Sequence, residues 1–539
     1  MVLSTRFNRI GGISAAIAGL MCLRMARQWK RDFGQSRGYA GLPQAEYELQ
    51  NGTAFADDFV SPPSRAIKDG IHLGLQNMHK LMSHLPPVTI PYIHIAGTNG
   101  KGSVSAMLDS CLRQAGLRTG RYNSPHLISI NDAIVVNGED TSYETYIKHR
   151  RKIEAIVQER DLDNSEFEIL TATAFSIFAA SQPKIDVLVI ECGMGGLRDA
   201  TNVMDPELQL CAVLTTVDLD HQGFLGDTIE AIAKDKFGIA VPDGILVVGK
   251  QDHPEVYGQA QRRATELNLD LYETDRNPQL DEPSGLSSQR TGSKVVQVVV
   301  DWVQNTPATS IAVTLPLPGE HQRDNLATAL MVMQVLQHHE RTKKIQPRLQ
   351  SLSQESIRKG IKGTVWRGRC SWLRLVYPPP SMGPVSPSLR HVEVLVDGAH
   401  NSSAAFQLRQ YIDSMNVPAT TPITFIVGLS KSPPKTPATV LQPLLAGCRS
   451  IDRVIPVTFS TPVEGMPWIS NVSMEDVRKA AIEAGIWPEN VIAITAEQQD
   501  DMSGASLLQA LQTLDARDPG IVIVTGSLYL VADAYRMAE

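Results

Sequence analysis

The sequence has no C-x-x-C pair, no excess of basic residues and no apolar run long enough to cross a membrane. Each absence excludes something. The six cysteines, at positions 22, 111, 192, 211, 370 and 448, are scattered over 539 residues. That spacing outlines neither a disulfide framework nor a zinc cage, and they read as reduced thiols of an intracellular protein. Lysine and arginine number 50 against 57 acids, for a net charge of −7, so no basic field for nucleic acid is present. The apolar stretch IGGISAAIAGLMCL, residues 10–23, falls short of the roughly 20 residues a membrane helix needs. No fixed-period repeat is visible. What is there is 42% hydrophobic and 20% charged residues, enough for large buried cores in two to four domains.

The first forty residues differ from the rest. They carry six Arg and one Lys against a single acid, Asp32, which leaves −13 on the remainder. Basic residues flank the apolar stretch on both sides. Arg-rich, acid-poor composition suits a mitochondrial transit peptide better than a secretory signal. RGYA at 37–40 resembles a matrix-processing site, with cleavage after Tyr39. An uncleaved cytosolic tail and a secretory signal are the alternatives.

From residue 88 apolar runs alternate with amphipathic segments, the pattern of an α/β protein with parallel-rich sheets. VTIPYIHIA, IDVLVIE (185–191), LCAVLTTVD (210–218) and GILVVGK (244–250) read as buried strands. A helix is expected from about 103 to 115, with Val104, Met107, Leu108, Cys111, Leu112 and Ala115 on one face and Gly116 as its stop. A second α/β set follows, with strands in HVEVLVDGAHN, ITFIVGL, DRVIPVTF, NVIAIT and GIVIVTGS. Helices are expected over Ser402–Met415 and Met474–Ala484, the latter opened by a Ser473/Asp476 capping box. The boundary between the sets falls near 360–366, after the helix containing NLATALMVMQVLQ. Segments 274–294 and 378–390 read as surface insertions.

HIAGTNGKGSVSAML, residues 94–108, has the strand, glycine loop and helix of a phosphate site but not the standard G-x-x-x-x-G-K-[ST] spacing. Backbone N–H groups and a helix N-terminus would face phosphates, with Lys101 neutralising oxygens and Ser103 offering a hydroxyl. A tight turn with a solvated lysine is the plainer alternative; the flanking strand and helix favour the loop. Glu191 closes a buried strand and precedes CGMGGLRDATN. A carboxylate at that edge of a parallel sheet is placed to hold Mg²⁺ beside a nucleotide; a helix cap followed by a plain glycine turn is the lesser alternative. Asp218, Asp220 and His221 end the next strand in the same way. HQRDN (321–325) and DGAHN (397–401) are weak alone, but the latter again follows an apolar strand.

Together these residues carry a resemblance. GTNGKGS, SPHL (124–127), ECGMGGLRDATN, DLDH with Lys236 fifteen residues after His221, GEHQRDN, WRGR (366–369) and DGAHN occur in the order found in the folylpolyglutamate synthase/dihydrofolate synthase family. That family belongs to the Mur ligase superfamily, whose loop is G-T-x-G-K-G-[ST]. The resemblance covers roughly residues 65 to 535. VEGMPW (463–468), GSLYL (526–530) and Asn99 look most like its fungal dihydrofolate synthase branch. It implies a Mur-ligase-like fold: an N-terminal P-loop ATPase domain (60–362) and a C-terminal Rossmann-like glutamate-ligase domain (366–539); the transit peptide (1–40), read from composition, lies outside it.

The resemblance also implies roles. Gly100, Lys101, Gly102 and Ser103 would bind ATP phosphates, Asn325 the adenine, and Arg369 and Asp397 the nucleotide from the other side. Ser124, Glu191 and His221 would ligate Mg²⁺, and Lys236 matches a lysine that is carbamylated and supports a second Mg²⁺. Leu73-Gly74-Leu75, Thr171 and Arg198-Asp199-Ala200 match pterin-side positions, and His400 and Ser527 lie near the incoming glutamate. Lys101, Lys236 and His400 would be catalytic. Four departures stand out: Leu197 and Arg198 are in reversed order, Phe237 replaces Ala, Arg367 replaces Pro, and Ser402 follows Asn401 where Pro is common. The activity implied is ATP-dependent ligation of L-glutamate to 7,8-dihydropteroate through an acyl phosphate. Folylpolyglutamate synthesis from a folate, or both reactions, is the alternative. A catalytically dead nucleotide-binding regulator is the remote one, which loss of Glu191, His221 or Lys236 would have signalled. The expected partners are small molecules only, with no nucleic acid or membrane, for a monomer in the mitochondrial matrix or, alternatively, the cytoplasm.

Overall fold

Five residues, Tyr92–Ala96, form strand β1 and are buried at every position. Ile93 and Ile95 are fully buried, each contributing about 1.5–3 kcal/mol over an exposed side chain. The computed structural model describes residues 74–274, 278–281, 294–300, 309–378, 389–433, 435–494, 504–514 and 519–538. The leader, Leu73 and much of the segments 274–294 and 378–390 lie outside them.

Around β1 the chain adds β2 (Thr119–Tyr122), β3 (Ile134–Val136), β4 (Glu139–Asp140), β5 (Val187–Glu191), β6 (Gln209–Leu214), β7 (Ile245–Val248) and β8 (Asp270–Glu273). Their order is β4-β3-β2-β5-β1-β6-β7-β8. From β2 to β8 every pairing is parallel; β3 and β4 make an antiparallel edge. Ile95 lies opposite Glu191 and Ala96 opposite Leu214, so three central strands end side by side. A parallel sheet collects its polar groups beyond such carboxyl ends.

Helix α1 (Lys101–Gln114) leaves β1 through the glycine loop and buries Val104, Met107, Leu108, Cys111 and Leu112. It starts two residues before the expected position because Gly100, at φ +90°, already turns the chain into it. Helix α2 (Glu166–Ala180) covers the other face of the sheet, opened by a reciprocal cap between Ser165 and Glu168. Helix α3 (Ile229–Lys236) carries Lys236. Strands β9 (Pro278–Asp281), β10 (Lys294–Val300) and β11 (Thr309–Leu315) form a small antiparallel sheet. Segment 274–294 is therefore not wholly an insertion, since β9 lies within it. Helices α4 (His321–His338) and α5 (Gln354–Lys362) share the core of α1. Gly360 lets α5 approach closely, because a Cβ there would strike the backbone of Cys111.

The second sheet contains β12 (Ser371–Tyr377), β13 (Arg390–Asp397), β14 (Ile423–Val427), β15 (Arg453–Pro456) and β16 (Ile521–Thr525), in the order β12-β13-β16-β14-β15. All pairings are parallel except β12 with β13. Helices α6 (Ser402–Ser414) and α7 (Leu528–Arg536) follow β13 and β16 directly. NVIAIT is not a strand of this sheet: the chain leaves a 3-10 turn at Pro488–Asn490 and touches β15 only through a Val454–Val491 bridge. The helix Met474–Glu483 has Ser473 as its cap, but Asp476 bonds the Ser473 hydroxyl rather than returning to the backbone, so the box is half made. The two sheets pack closely enough that residues 71–539 cluster as one unit.

Candidate active site

A cleft of about 470 Å³ opens where the carboxyl ends of the two parallel sheets meet. On one wall the loop 97–100 runs from β1 into α1. Gly97 is pressed on the Thr215 side chain and Gly100 on the Asn325 amide, so no side chain fits at either. The N-terminus of α1 has no side-chain cap. Its free N–H groups and the positive end of the helix dipole make an anion site. Lys101 lies folded over this loop, its Nζ donating to Gly97 O (3.1 Å) and Thr98 O (3.2 Å) and standing 3.8 Å from Glu191 Oε1. Ser103 is buried in the first turn of the helix.

Beside the loop stands Glu191, the last residue of β5. Asn123 Nδ2 donates to its Oε2 at 2.5 Å and to Ser105 Oγ at 2.7 Å. Burial pushes the Glu191 carboxyl above its ordinary range, against the opposing pull of Lys101, Asn123 and Arg369. A cation arriving there would restore the anion. The Ser124 hydroxyl oxygen is buried without a partner and lines the same cleft. A hard divalent ion that keeps waters and phosphate oxygens as its other ligands suits one carboxylate and one hydroxyl, so these residues fit Mg²⁺. Among the described residues no three His, Cys, Asp or Glu side chains form a metal cage.

His221 caps the short helix Gln222–Leu225 in a left-handed conformation, φ +53°. Its side chain keeps 41% of its surface open and its Nε2 lies 3.9 Å from Asp220 Oδ1. The surrounding protein, and then the cations Lys435, Lys236 and Lys101, outweigh Asp220 and hold the imidazole down at about 4. The ring is thus neutral at physiological pH despite its partial exposure. Lys236 is buried, and its Nζ donates to Gly97 O at 2.8 Å. Burial and the neighbouring Lys101 lower it to about 7, within reach of a free amine.

The second sheet supplies the opposite wall. Asp397, closing β13, accepts from the backbone of Cys370 (2.8 Å) and Ala399 (2.9 Å), which fixes the turn holding His400. His400 Nδ1 lies 2.9 Å from Gly398 O, so this nitrogen donates and Nε2 is left as an acceptor. Burial, with Lys435 next, lowers the ring's affinity for a second proton. Arg369 and the buried Asn325 also line the cleft. Three contacts cross it. Lys435 Nζ is 2.7 Å from Asp220 Oδ1, and Asn401 Nδ2 donates to Asp220 Oδ2 (3.3 Å) and Asn99 Oδ1 (3.2 Å). Burial opposes the charge on Asp220, yet His221, Lys435 and His400 hold it well below the usual carboxylate range.

Twelve of the expected residues thus share one cleft: Gly100, Lys101, Gly102, Ser103, Ser124, Glu191, His221, Lys236, Asn325, Arg369, Asp397 and His400. Others do not line it. Thr171 is in the core, bonded to Phe167 O and near the Tyr122 hydroxyl. Asp199 is buried and takes bonds from Met194 N, Thr201 N and the Thr201 hydroxyl. Arg198 pairs with Asp235 at 3.0 Å and bonds Phe224 O, while Leu197 is exposed. Ala200 is buried, and Gly74 is exposed with nothing near it. Ser527 caps α7 by accepting from Tyr529 N. Arg367, standing where Pro was expected, does line the cleft and pairs with Asp140 at 2.6 Å. Sequence reasoning missed Arg121, Asn123 and Trp366, all in the cleft wall, and Lys435, which reaches Asp220. The alternation of Thr119, Arg121 and Asn123 was a signal for the first two.

The Mur ligase middle domain matches residues 95–333, and the dihydrofolate synthetase C-terminal domain matches residues 386–537. The chain is 33% identical over 469 residues to a probable dihydrofolate synthetase of Schizosaccharomyces pombe, spanning 86% of this chain and 98% of the relative. It is likewise 33% identical over 471 residues to the dihydrofolate synthetase of Saccharomyces cerevisiae, 87% and 98% of the two chains. The solved folylpolyglutamate synthase of Mycobacterium tuberculosis complexed with ADP superposes with a TM-score of 0.64 at 28% identity, covering 86% of this chain and 93% of that one.

Proposed function

We propose a reaction for a chain that belongs to the folylpolyglutamate synthase/dihydrofolate synthase family: ATP-dependent joining of L-glutamate to 7,8-dihydropteroate, giving dihydrofolate, ADP and phosphate. The observation that carries it is the single cleft lined by Lys101, Glu191, Lys236, Arg369 and His400, shared between two parallel sheet ends. A carboxylate and an amine do not condense in water unactivated. The pteroate carboxylate attacks the γ-phosphorus in line, an acyl phosphate forms and ADP leaves. Among the described residues Lys101 has two carbonyl partners and a carboxylate 3.8 Å away, so its ammonium is available to the transferring phosphoryl oxygens. Glutamate nitrogen then attacks the acyl carbon and phosphate departs, with His400 Nε2 as the acceptor for the amine proton. Arg369 and Asp397 on one wall and Lys101 on the other make the nucleotide the bridge that closes the cleft against water.

Ser124, Glu191 and His221 are the residues that would hold Mg²⁺, which neutralises phosphate oxygens when bound. Lys236, with an amine close to neutral, is set to add CO₂. The nitrogen lone pair bonds carbon, one proton leaves, and the resulting carbamate turns a cation into an anion suited to a second metal. Residues 60–362 and 366–539 serve as two domains hinged at 362–366, and the Arg-rich leader serves for import into the mitochondrial matrix. A leader–fluorophore fusion that stays diffuse in the cytosol would refute that address.

Acceptor choice is the finer question. VEGMPW, GSLYL, Asn99 and the fungal relatives support dihydropteroate; the likeness to a folylpolyglutamate synthase supports the second reading. A folate acceptor places a glutamate between benzoyl ring and reacting carboxylate, a displacement of about 3.5 Å. Productive attack needs the atoms within roughly 3–3.5 Å, so one rigid pocket serves the two unequally. Measured by ADP release with glutamate, kcat/KM should strongly favour dihydropteroate over tetrahydrofolate. Equal or reversed values would move the chain to folylpolyglutamate or dual synthesis.

A further inference from the structure

Arg121 feels Asp109, Asp140 and Glu191 but pairs directly with none of them. It lies on β2 in the cleft wall, and its guanidinium carbon sits 5.2 Å from the centre of the Trp366 ring. Its Nε is buried with no hydrogen-bond partner. Among the described residues no carboxylate stands within ion-pair distance of it; nearby Asp140 is taken by Arg367 and Asp109 by Arg113. Stacking on an indole compensates a partly desolvated guanidinium only in part, and the half-buried side chain leaves its buried Nε without the hydrogen bond that burial calls for. Such a group is stable when an anion joins it.

The strand alternation says which anion. Gly120 and Tyr122 face α2, as the Tyr122–Thr171 contact and the fit of Gly120 against Phe178 record. Thr119, Arg121 and Asn123 face the other way, onto α1: Thr119 bonds Asp109 and Asn123 bonds Ser105. Trp366, on which Arg121 stacks, lies against Gly102 in the first turn of α1, so tightly that a Cβ there would strike the indole. Arg121 therefore belongs to the phosphate-loop side of the sheet, away from the side of Thr171. We propose that Arg121 is a further ligand for the polyphosphate of the nucleotide, delivered over the N-terminus of α1 by its stack on Trp366. This rests on the ligase reading above. Arginine is suited to the task, because its planar fork matches phosphate oxygens while its face remains on the ring.

The test compares the full chain with Arg121→Gln, Arg121→Lys and Lys101→Ala. ADP affinity is measured by calorimetry at two ionic strengths, and KM separately for ATP, dihydropteroate and glutamate. Arg121→Gln keeps a planar group against Trp366 but removes the charge. Its ADP Kd and ATP KM should rise about tenfold or more, its salt dependence should flatten, and KM for dihydropteroate should stay within twofold. Arg121→Lys should recover part of the affinity. ADP affinity and salt dependence of Arg121→Gln equal to wild type would overturn the proposal and leave Arg121 as a brace for Trp366. A rise confined to the dihydropteroate or glutamate KM would also overturn it, assigning the cation to a carboxylate. Wild-type protein that fails to bind ADP would instead overturn the ligase reading itself.

Discussion

Lys101 and Lys236 both bond Gly97 O, yet they are opposite kinds of lysine. Lys101 reaches the cleft from a helix N-terminus, whereas Lys236 lines it from a buried position beneath the loop. Lys101→Ala should lower kcat on the order of 10²–10³-fold, the usual cost of losing a donor aimed at developing charge. It removes two hydrogen bonds to loop carbonyls, so its unfolding free energy should fall by only about 1 kcal/mol; turnover near wild type would reject the loop assignment. For Lys236 the sign follows from its depressed value of about 7. An unfolded lysine holds its proton to about 10.4, so between these limits the unfolded state binds more protons and stability rises with pH. The free amine fraction grows through the same lower limit. Activity in CO₂-depleted buffer should therefore drop and return with bicarbonate, at lower concentration at pH 8 than at pH 6. Indifference to bicarbonate, with no CO₂ adduct in the intact mass, would remove the carbamate from the scheme.

At the scale of elements, the loop, helix α1 and the segment 363–370 between α5 and β12 act as one piece. Gly102 is the contact point, since the Trp366 indole occupies the space a Cβ would need. Gly102→Ala should displace the indole, costing about 1–3 kcal/mol as overpacking does, and should weaken ADP binding. An unchanged melting temperature together with unchanged ADP affinity would show that the linker does not rest on the loop. VEGMPW is a second such joint. It does not line the cleft; Glu464 Oε2 accepts from Ile130 N at 3.1 Å, Gly465 closes on the Ile130 side chain, and Tyr529 of GSLYL bonds Met466 Sδ. VEGMPW thus joins the segment around Ile130 to GSLYL, which follows the last strand of the second sheet.

Across the whole molecule, the buried Asp220 connects the two walls through Lys435 and Asn401. Removing one partner from a buried pair costs about 3–5 kcal/mol when the other charge stays dry. Lys435→Ala has a cheaper outlet, because the walls can part and hydrate Asp220. Small-angle scattering should show a larger radius of gyration for that variant than for wild type, with saturating ADP restoring the wild-type value. Identical radii without ADP would mean that the pair does not hold the walls together. The sequence by itself determined the strands that end at the cleft and the residues at their ends, because a buried parallel strand must be apolar along its length and polar where it emerges. Glu191, Asp397 and the glycine loop were legible for that reason. It also placed α1 to within two residues. The antiparallel edges β3, β4 and β12 were not legible, being short or partly exposed and so lacking a strong pattern. Nor was NVIAIT, whose apolar residues resemble a strand but pair only once. The tertiary structure alone decided that Arg121 would meet Trp366 and Lys435 would meet Asp220. Such pairings join residues more than two hundred positions apart, and periodicity along a chain carries no information about which surfaces face each other once it has folded.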